Sequence, residues 1–209
     1  MITLDKEKHI YTVDGKVVPG VSEVLSAAGM IDLWGIPVFA LEAARKLGTA
    51  AHLACEYYDD KILKKSTLDI FLRPYLDGWI KFKADHCIEI LEGIEVKGYS
   101  RKWGFAGTLD RVAAIKGKLI LIDIKTSAVL HPTVGPQLAA YKIIWEENNP
   151  DQRINQRWAV QLTPGDYKIN CCKDNYDESV FISALQVYKF RKKNNLLKEV
   201  EYEREIFGM

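Results

Sequence analysis

Two acids and an amine fall close together in the chain: Gly107-Thr-Leu-Asp110, then Leu121-Ile-Asp123-Ile-Lys125-Thr-Ser127. Lys116-Gly117 separates two runs of strand character. If they pair as a hairpin symmetric about that dipeptide, Asp110 faces Asp123. Directly opposed residues on one face have Cβ atoms about 4.5–5.5 Å apart, close enough for two carboxylates to grip one divalent cation. Strand alternation puts Lys125 on the same face, two residues beyond Asp123, with Thr108 opposite it. Ile120, Ile122 and Ile124 then form a buried layer on the other face. Arg111 falls on that apolar side, and alternation gives no reason for it.

Such a face suits phosphodiester hydrolysis. Carboxylates select hard cations such as Mg²⁺ or Mn²⁺. A cation there polarises a phosphoryl oxygen, lowers the pKa of water and offsets charge on the leaving oxygen. A nearby lysine orients the attacking water and stabilises developing negative charge. It serves as a base only if burial or the metal depresses its pKa. An acid-x-Lys pair on a strand also fits an ordinary surface ion pair; the upstream acid in register turns the reading toward chemistry.

The elements that position these groups can be read from periodicity and turn residues. Residues 9–19 predict a hairpin about Asp14-Gly15. Ser22 is expected to cap a short helix ending near Gly29. Pro37 opens a helix through Leu41, Ala44, Gly48, His52 and Glu56. Another follows Thr67, with Leu68, Phe71, Leu72, Tyr75, Leu76, Trp79 and Cys87 at helical spacing. Strands are expected at about 94–101, 104–115 and 118–126, then a helix over 134–148. A second hairpin, 157–163 and 167–172, turns at Pro164-Gly165-Asp166, and a last helix covers 177–197. The order implies α/β, a mixed central sheet flanked by helices. One domain over 1–209 is expected, with a mainly helical part and an N-terminal hairpin in 1–90 and the catalytic sheet with its helices in 91–198.

These motifs resemble the PD-(D/E)XK nuclease superfamily, and within it the RecB-type exonuclease branch with its phage and mitochondrial members. Gly107-Thr-Leu-Asp110 is similar to the family's first acid and Asp123-Ile-Lys125 to its acid-x-Lys element. Gln137-Leu-Ala-Ala-Tyr141 resembles its Gln-x-x-x-Tyr helix, and Gly48-Thr-Ala-Ala-His52 its upstream glycine–histidine helix. Val18-Pro-Gly-Val-Ser-Glu-Val-Leu25 resembles the N-terminal entry of the phage members. The likeness spans about 10–190 and implies a restriction-endonuclease-like core. It also implies metal ligation by His52, Asp110, Asp123, the Ile124 carbonyl and Glu95, the last resembling an extra acid of related nucleases. Gln137 and Tyr141, four apart, share a helix face, where they can hydrogen-bond a phosphate or hold Lys125. Gly48 lets another backbone, or DNA, come close. Trp34 and Trp103 are candidates for base stacking. Arg45, Lys46, Arg101 and Lys102 are candidates for phosphate contact.

The implied activity is a metal-dependent DNA exonuclease on single strands or ends, leaving 5′-phosphates. A structure- or sequence-specific endonuclease and a non-catalytic DNA-binding or assembly module are the alternatives. The cofactor is Mg²⁺ or Mn²⁺, with no nucleotide cofactor. The partner is DNA, with recombination or replication proteins beside it; no helicase motif occurs, so any motor is a separate chain. Cys55, Cys87, Cys171 and Cys172 do not match the layout of cluster-bearing members, so no iron–sulfur cluster is expected. A zinc set of His52, Cys55, His86 and Cys87 matches no common spacing. Net charge is only +1, which excludes a globally basic coat and asks for a local groove. No signal peptide or membrane span is read from the sequence, and a cytoplasmic location follows as an expectation.

Overall fold

The computed structural model describes residues 1–5, 8–31, 35–88 and 91–197. The N-terminal turn forms as its residues dictate: Asp14 and Gly15 both take positive φ, 48° and 78°, the conformation a two-residue hairpin needs. The hairpin is part of a larger antiparallel sheet, β1 (Ile2–Asp5), β2 (Ile10–Val13) and β3 (Lys16–Val18). β1 was not expected; four residues are too short a run for alternation to announce.

α1 (Val21–Ala27) is capped differently from expectation. Gly20 is the N-cap, its N–H donating to Glu23 Oε2 at 3.2 Å, and Ser22 lies inside the helix. α2 (Val38–Asp59) begins just after Pro37, which is its N-cap and not its first helical residue. α3 (Arg73–Asp85) begins later than the apolar spacing after Thr67 suggests. The Asp69 side chain accepts the Phe71 N–H at 2.9 Å, a local turn that competes with helix. Phe71 is left 78% exposed, so Leu76, Trp79 and Phe82 carry the buried stripe of α3.

The second sheet contains β4 (Leu91–Ser100), β5 (Phe105–Ile115), β6 (Lys118–Lys125), β7 (Ile154–Thr163) and β8 (Asp166–Cys171), in that spatial order. Neighbours are antiparallel except β6 and β7. That pair is parallel because α4 (Val134–Asn148) carries the chain back between them. α5 (Asp177–Lys193) stops short of residue 197, where Asn195 turns to φ 54°.

Burial divides by sheet face. Val112 and Leu121 pack with Leu138 of α4, Phe181 of α5 and Val24 of α1. Ile120, Ile122 and Ile124 pack with Trp79 and Phe82 of α3 and Cys55 of α2. This is the expected mixed sheet flanked by helices. Among the described residues, no helix is long and apolar enough to cross a membrane.

Candidate active site

The β5–β6 ladder runs in the anticipated register, from Ile115 opposite Lys118 to Arg111 opposite Ile122. Pairing stops there, one step before Asp110 and Asp123 would pair, and Thr108 does not pair with Lys125. The reason is visible at Asp110. Its Oδ2 accepts the Ile124 N–H at 2.7 Å, so the side chain takes over where the ladder ends. Both acids point into one groove, Asp110 8% and Asp123 2% exposed.

Lys125 Nζ lies 2.8 Å from Asp123 Oδ2 and donates to Gln137 Oε1 at 3.2 Å. Gln137 Nε2 in turn donates to Tyr141 Oη at 3.0 Å. The four-residue spacing on α4 thus makes a chain that ends on the lysine. Gly107 makes room for it: a Cβ there would lie 2.7 Å from Tyr141 Cε1. Gly48 is not demanded by packing in this way, since its Cβ would meet only Thr126 Oγ1 at 3.6 Å.

α2 brings His52 to the same place. Its Nε2 lies 2.8 Å from the Ile124 carbonyl oxygen. A carbonyl can only accept, so Nε2 carries a hydrogen, and Nδ1 is the ring atom that faces Asp110 Oδ2, 3.5 Å away. Glu95 completes the cluster from β4. Ligand atoms of His52, Glu95 and Asp110 all lie within 4.8 Å of one another. The groove has a volume of about 680 Å³ and is walled by α2 on one side.

Electrostatics fit a cation here. Burial raises the pKa of Glu95, and the neighbouring Asp110 charge raises it further, against the pull of Arg111. Burial likewise raises Asp123, opposed by Lys125 and reinforced by Asp110. Burial pulls Lys125 down, but Asp123 and Asp110 outweigh it and hold the amine above its ordinary value. Lys125 is therefore an ammonium in this arrangement. The donor set of two or three carboxylates and one imidazole suits Mg²⁺ or Mn²⁺, the imidazole favouring Mn²⁺.

The remaining candidates divide. Arg45 and Lys46 are exposed on α2, one turn before Gly48 and Thr49, which line the groove. Arg101, Lys102 and Trp103 sit in the β4–β5 turn and are not among the groove residues. There Lys102 lies over the Trp103 ring at 5.1 Å, and Lys189 donates to the Trp103 carbonyl at 2.8 Å. Trp34 lies outside the described residues. The zinc set is not assembled among the described residues: Cys55 is buried in the α3-side core, its thiol pushed up to about 12 by burial, while Cys87 is on the surface.

Two features were announced by the sequence without their place at the site. The first is the N-terminal sheet: Leu4 of β1, Tyr11 of β2 and His9, in the turn before β2, line the groove. Tyr11 Oη lies 2.9 Å from Thr108 Oγ1, two residues from Asp110. The second is the setting of Arg111. It is fully buried, its Nε on Asp59 Oδ2 at 2.7 Å and its Nη1 on Glu95 Oε1 at 2.8 Å. A guanidinium on the apolar face is thus balanced by two acids contributed from α2 and β4.

Comparison with known proteins supplies the family. The family model of the PD-(D/E)XK nuclease superfamily matches residues 37–204. No curated protein matches the chain. Among solved structures, a candidate exonuclease from Eubacterium rectale superposes with a TM-score of 0.50 at 11% identity, covering 73% of this chain and 69% of that one. The structure of SSO0001 has a TM-score of 0.36 at 17% identity, covering 81% and 83% of the two chains.

Proposed function

The chain belongs to the PD-(D/E)XK nuclease superfamily, and on that premise we propose that it is a divalent-metal-dependent deoxyribonuclease acting from single strands or strand ends. The observation that carries this reading is the convergence of Asp110, Asp123, Glu95, His52 and Lys125 in one groove. His52 through Nδ1, with Glu95, Asp110 and Asp123, would hold Mg²⁺ or Mn²⁺. Bound there, the ion would supply Lewis-acid polarisation of a phosphoryl oxygen and a lowered pKa for water. The Ile124 carbonyl, occupied by His52, acts by fixing the ring and its tautomer.

The chain's own residues do the rest. Lys125, held charged by Asp123 and Asp110, places an ammonium beside the reacting phosphate and stabilises the charge that develops on it. Gln137 and Tyr141 keep that ammonium from swinging away. Arg45 and Lys46 contact backbone phosphates approaching along α2. Leu4, His9 and Tyr11 line the groove together with residues of α2, and a groove lined from both parts of the chain suits a single strand or an end. The name of the Eubacterium rectale structure agrees with exonuclease action. Products carry 5′-phosphates.

The test is degradation of linear and closed circular DNA with Mg²⁺ or Mn²⁺ by the wild type and Lys125→Ala. Loss of transition-state charge stabilisation costs about 10²–10³-fold in rate. Unchanged degradation by Lys125→Ala rejects the catalytic assignment. Sustained cleavage of the circle replaces the exonuclease reading with an endonuclease.

A further inference from the structure

We infer that Arg111 is a positioning residue for the metal centre: backed by Asp59, it holds the Glu95 carboxylate in place beside His52 and Asp110. This rests on the reading of those three side chains as metal ligands.

Burial sets the terms. Arg111 has no exposed surface, and a buried guanidinium persists only with partner charges and hydrogen bonds. It finds them in three directions: Asp59 Oδ2 at 2.7 Å, Glu95 Oε1 at 2.8 Å and the Asp110 carbonyl oxygen at 2.6 Å. Asp59 is itself anchored. Its side chain is fully buried, with Trp79 Nε1 donating at 3.1 Å and Lys83 Nζ at 2.6 Å. Lys83 already balances Asp59, so the charge of Arg111 is available for Glu95.

The connectivity ties this pair to the ligands. Arg111 follows Asp110 on β5, and Asp59 lies two helical turns after His52 on α2. One buried ion pair therefore fixes both ligand-bearing elements from behind. Glu95 needs such a partner. It sits at φ 47° within β4, a conformation non-glycine residues avoid unless their surroundings impose it. The β4–β5 ladder brackets it, with Ile94 opposite Arg111 and Val96 opposite Leu109, while Glu95 drops out of the pairing. With one oxygen on Arg111, its carboxylate keeps the second for an ion. A guanidinium spans Asp59 and Glu95 at once; an ammonium in the same place cannot.

The experiment measures Mn²⁺ binding to the full chain without DNA, by electron paramagnetic resonance of free Mn²⁺, with circular dichroism and thermal melting alongside. Changes behind a metal ligand typically cost 10–100-fold in affinity, so Arg111→Lys is expected to weaken Mn²⁺ binding by about tenfold or more. Glu95→Gln should weaken it at least as much. The double variant should be no weaker than Glu95→Gln alone, because both changes remove one interaction. A lowered melting temperature with unchanged Mn²⁺ affinity in Arg111→Lys overturns the inference. If Arg111→Lys does not fold, Asp59→Asn carries the same readout: weaker binding supports the inference and unchanged binding overturns it. A wild type that binds no Mn²⁺, or a Glu95→Gln variant that binds as the wild type does, removes the ligand reading and this inference together. Weakened Glu95→Gln beside unaffected Arg111→Lys removes the positioning role alone.

Discussion

The Nε2 of His52 lies 2.8 Å from the carbonyl oxygen of Ile124, the residue between Asp123 and Lys125. The histidine is thereby tied to the strand that carries the acid-x-Lys element, and Nδ1 becomes the ring atom aimed at the carboxylates. Glutamine can place its amide where Nε2 is and keep the Ile124 bond, but it has nothing at Nδ1. His52→Gln is therefore expected to melt near the wild-type temperature while losing Mn²⁺ affinity by about tenfold, within the range for perturbed metal sites. Asparagine, whose amide reaches the Nδ1 position, should retain more affinity than glutamine. Isothermal titration of both variants with Mn²⁺ decides; the opposite order would assign ligation to Nε2.

A pH dependence follows from Asp123. Its pKa is raised, by burial first, with Lys125 opposing and Asp110 adding. A carboxyl with a raised folded pKa binds more protons folded than unfolded. Its stabilisation is full below the ordinary value of 3.8 and is lost as pH rises through the folded value. In EDTA, wild-type stability relative to Asp123→Asn should therefore decline as pH climbs above that point. Mg²⁺ should restore it, since a ligand that binds only the folded state raises its stability. Melting curves over a pH series, with and without Mg²⁺, test this. A gap between the two proteins that does not vary with pH in EDTA would rule it out.

Gly107 is expected to be intolerant of any side chain. Alanine there would place its Cβ 2.7 Å from Tyr141 Cε1 and 3.2 Å from Val21 Cγ2. Overpacking of this kind typically costs about 1–3 kcal/mol, and the ring it displaces is the far end of the Lys125–Gln137–Tyr141 chain. Gly107→Ala should lower both the denaturation midpoint and DNA turnover. Tyr141→Phe keeps the ring and removes only the hydroxyl, so it should lower turnover with little change in midpoint. A Tyr141→Phe variant with wild-type turnover would leave Gln137 alone in holding the lysine.

What could be read from the sequence follows from the range of each signal. Strand alternation and the Lys116-Gly117 turn are local, so the placement of Asp110, Asp123 and Lys125 was legible to within one step of the ladder. The Gln137–Tyr141 pairing was legible because one helical turn is a fixed distance. Arg111 was visible only as an inconsistency: its partner Asp59 is far away in sequence, and Glu95 leaves the strand pattern by a backbone conformation that no residue type signals. The late start of α3 had the opposite cause, a local Asp69 turn prevailing over apolar spacing. Charge alone gave no position for Arg101 and Lys102, which sit in the β4–β5 turn outside the residues that line the groove.

The N-terminal sheet lies outside the residues matched by the family model, 37–204, yet Leu4, His9 and Tyr11 help to line the groove. Tyr11 is 3% exposed and its hydroxyl is 2.9 Å from Thr108 Oγ1. Removing the hydroxyl in Tyr11→Phe should cost about 1 kcal/mol, the usual worth of a buried hydrogen bond. It should also loosen the wall beside Asp110. His9 is exposed at the rim and contributes little to the core, so His9→Ala should leave the melting temperature unchanged. If this sheet guides a single strand toward the acids, His9→Ala raises KM for linear single-stranded DNA and leaves kcat near the wild-type value. Steady-state kinetics on single-stranded and duplex substrates separate the two roles. An unchanged KM on both in His9→Ala, with only stability altered in Tyr11→Phe, would make the sheet a structural brace for β5 rather than a surface that meets DNA.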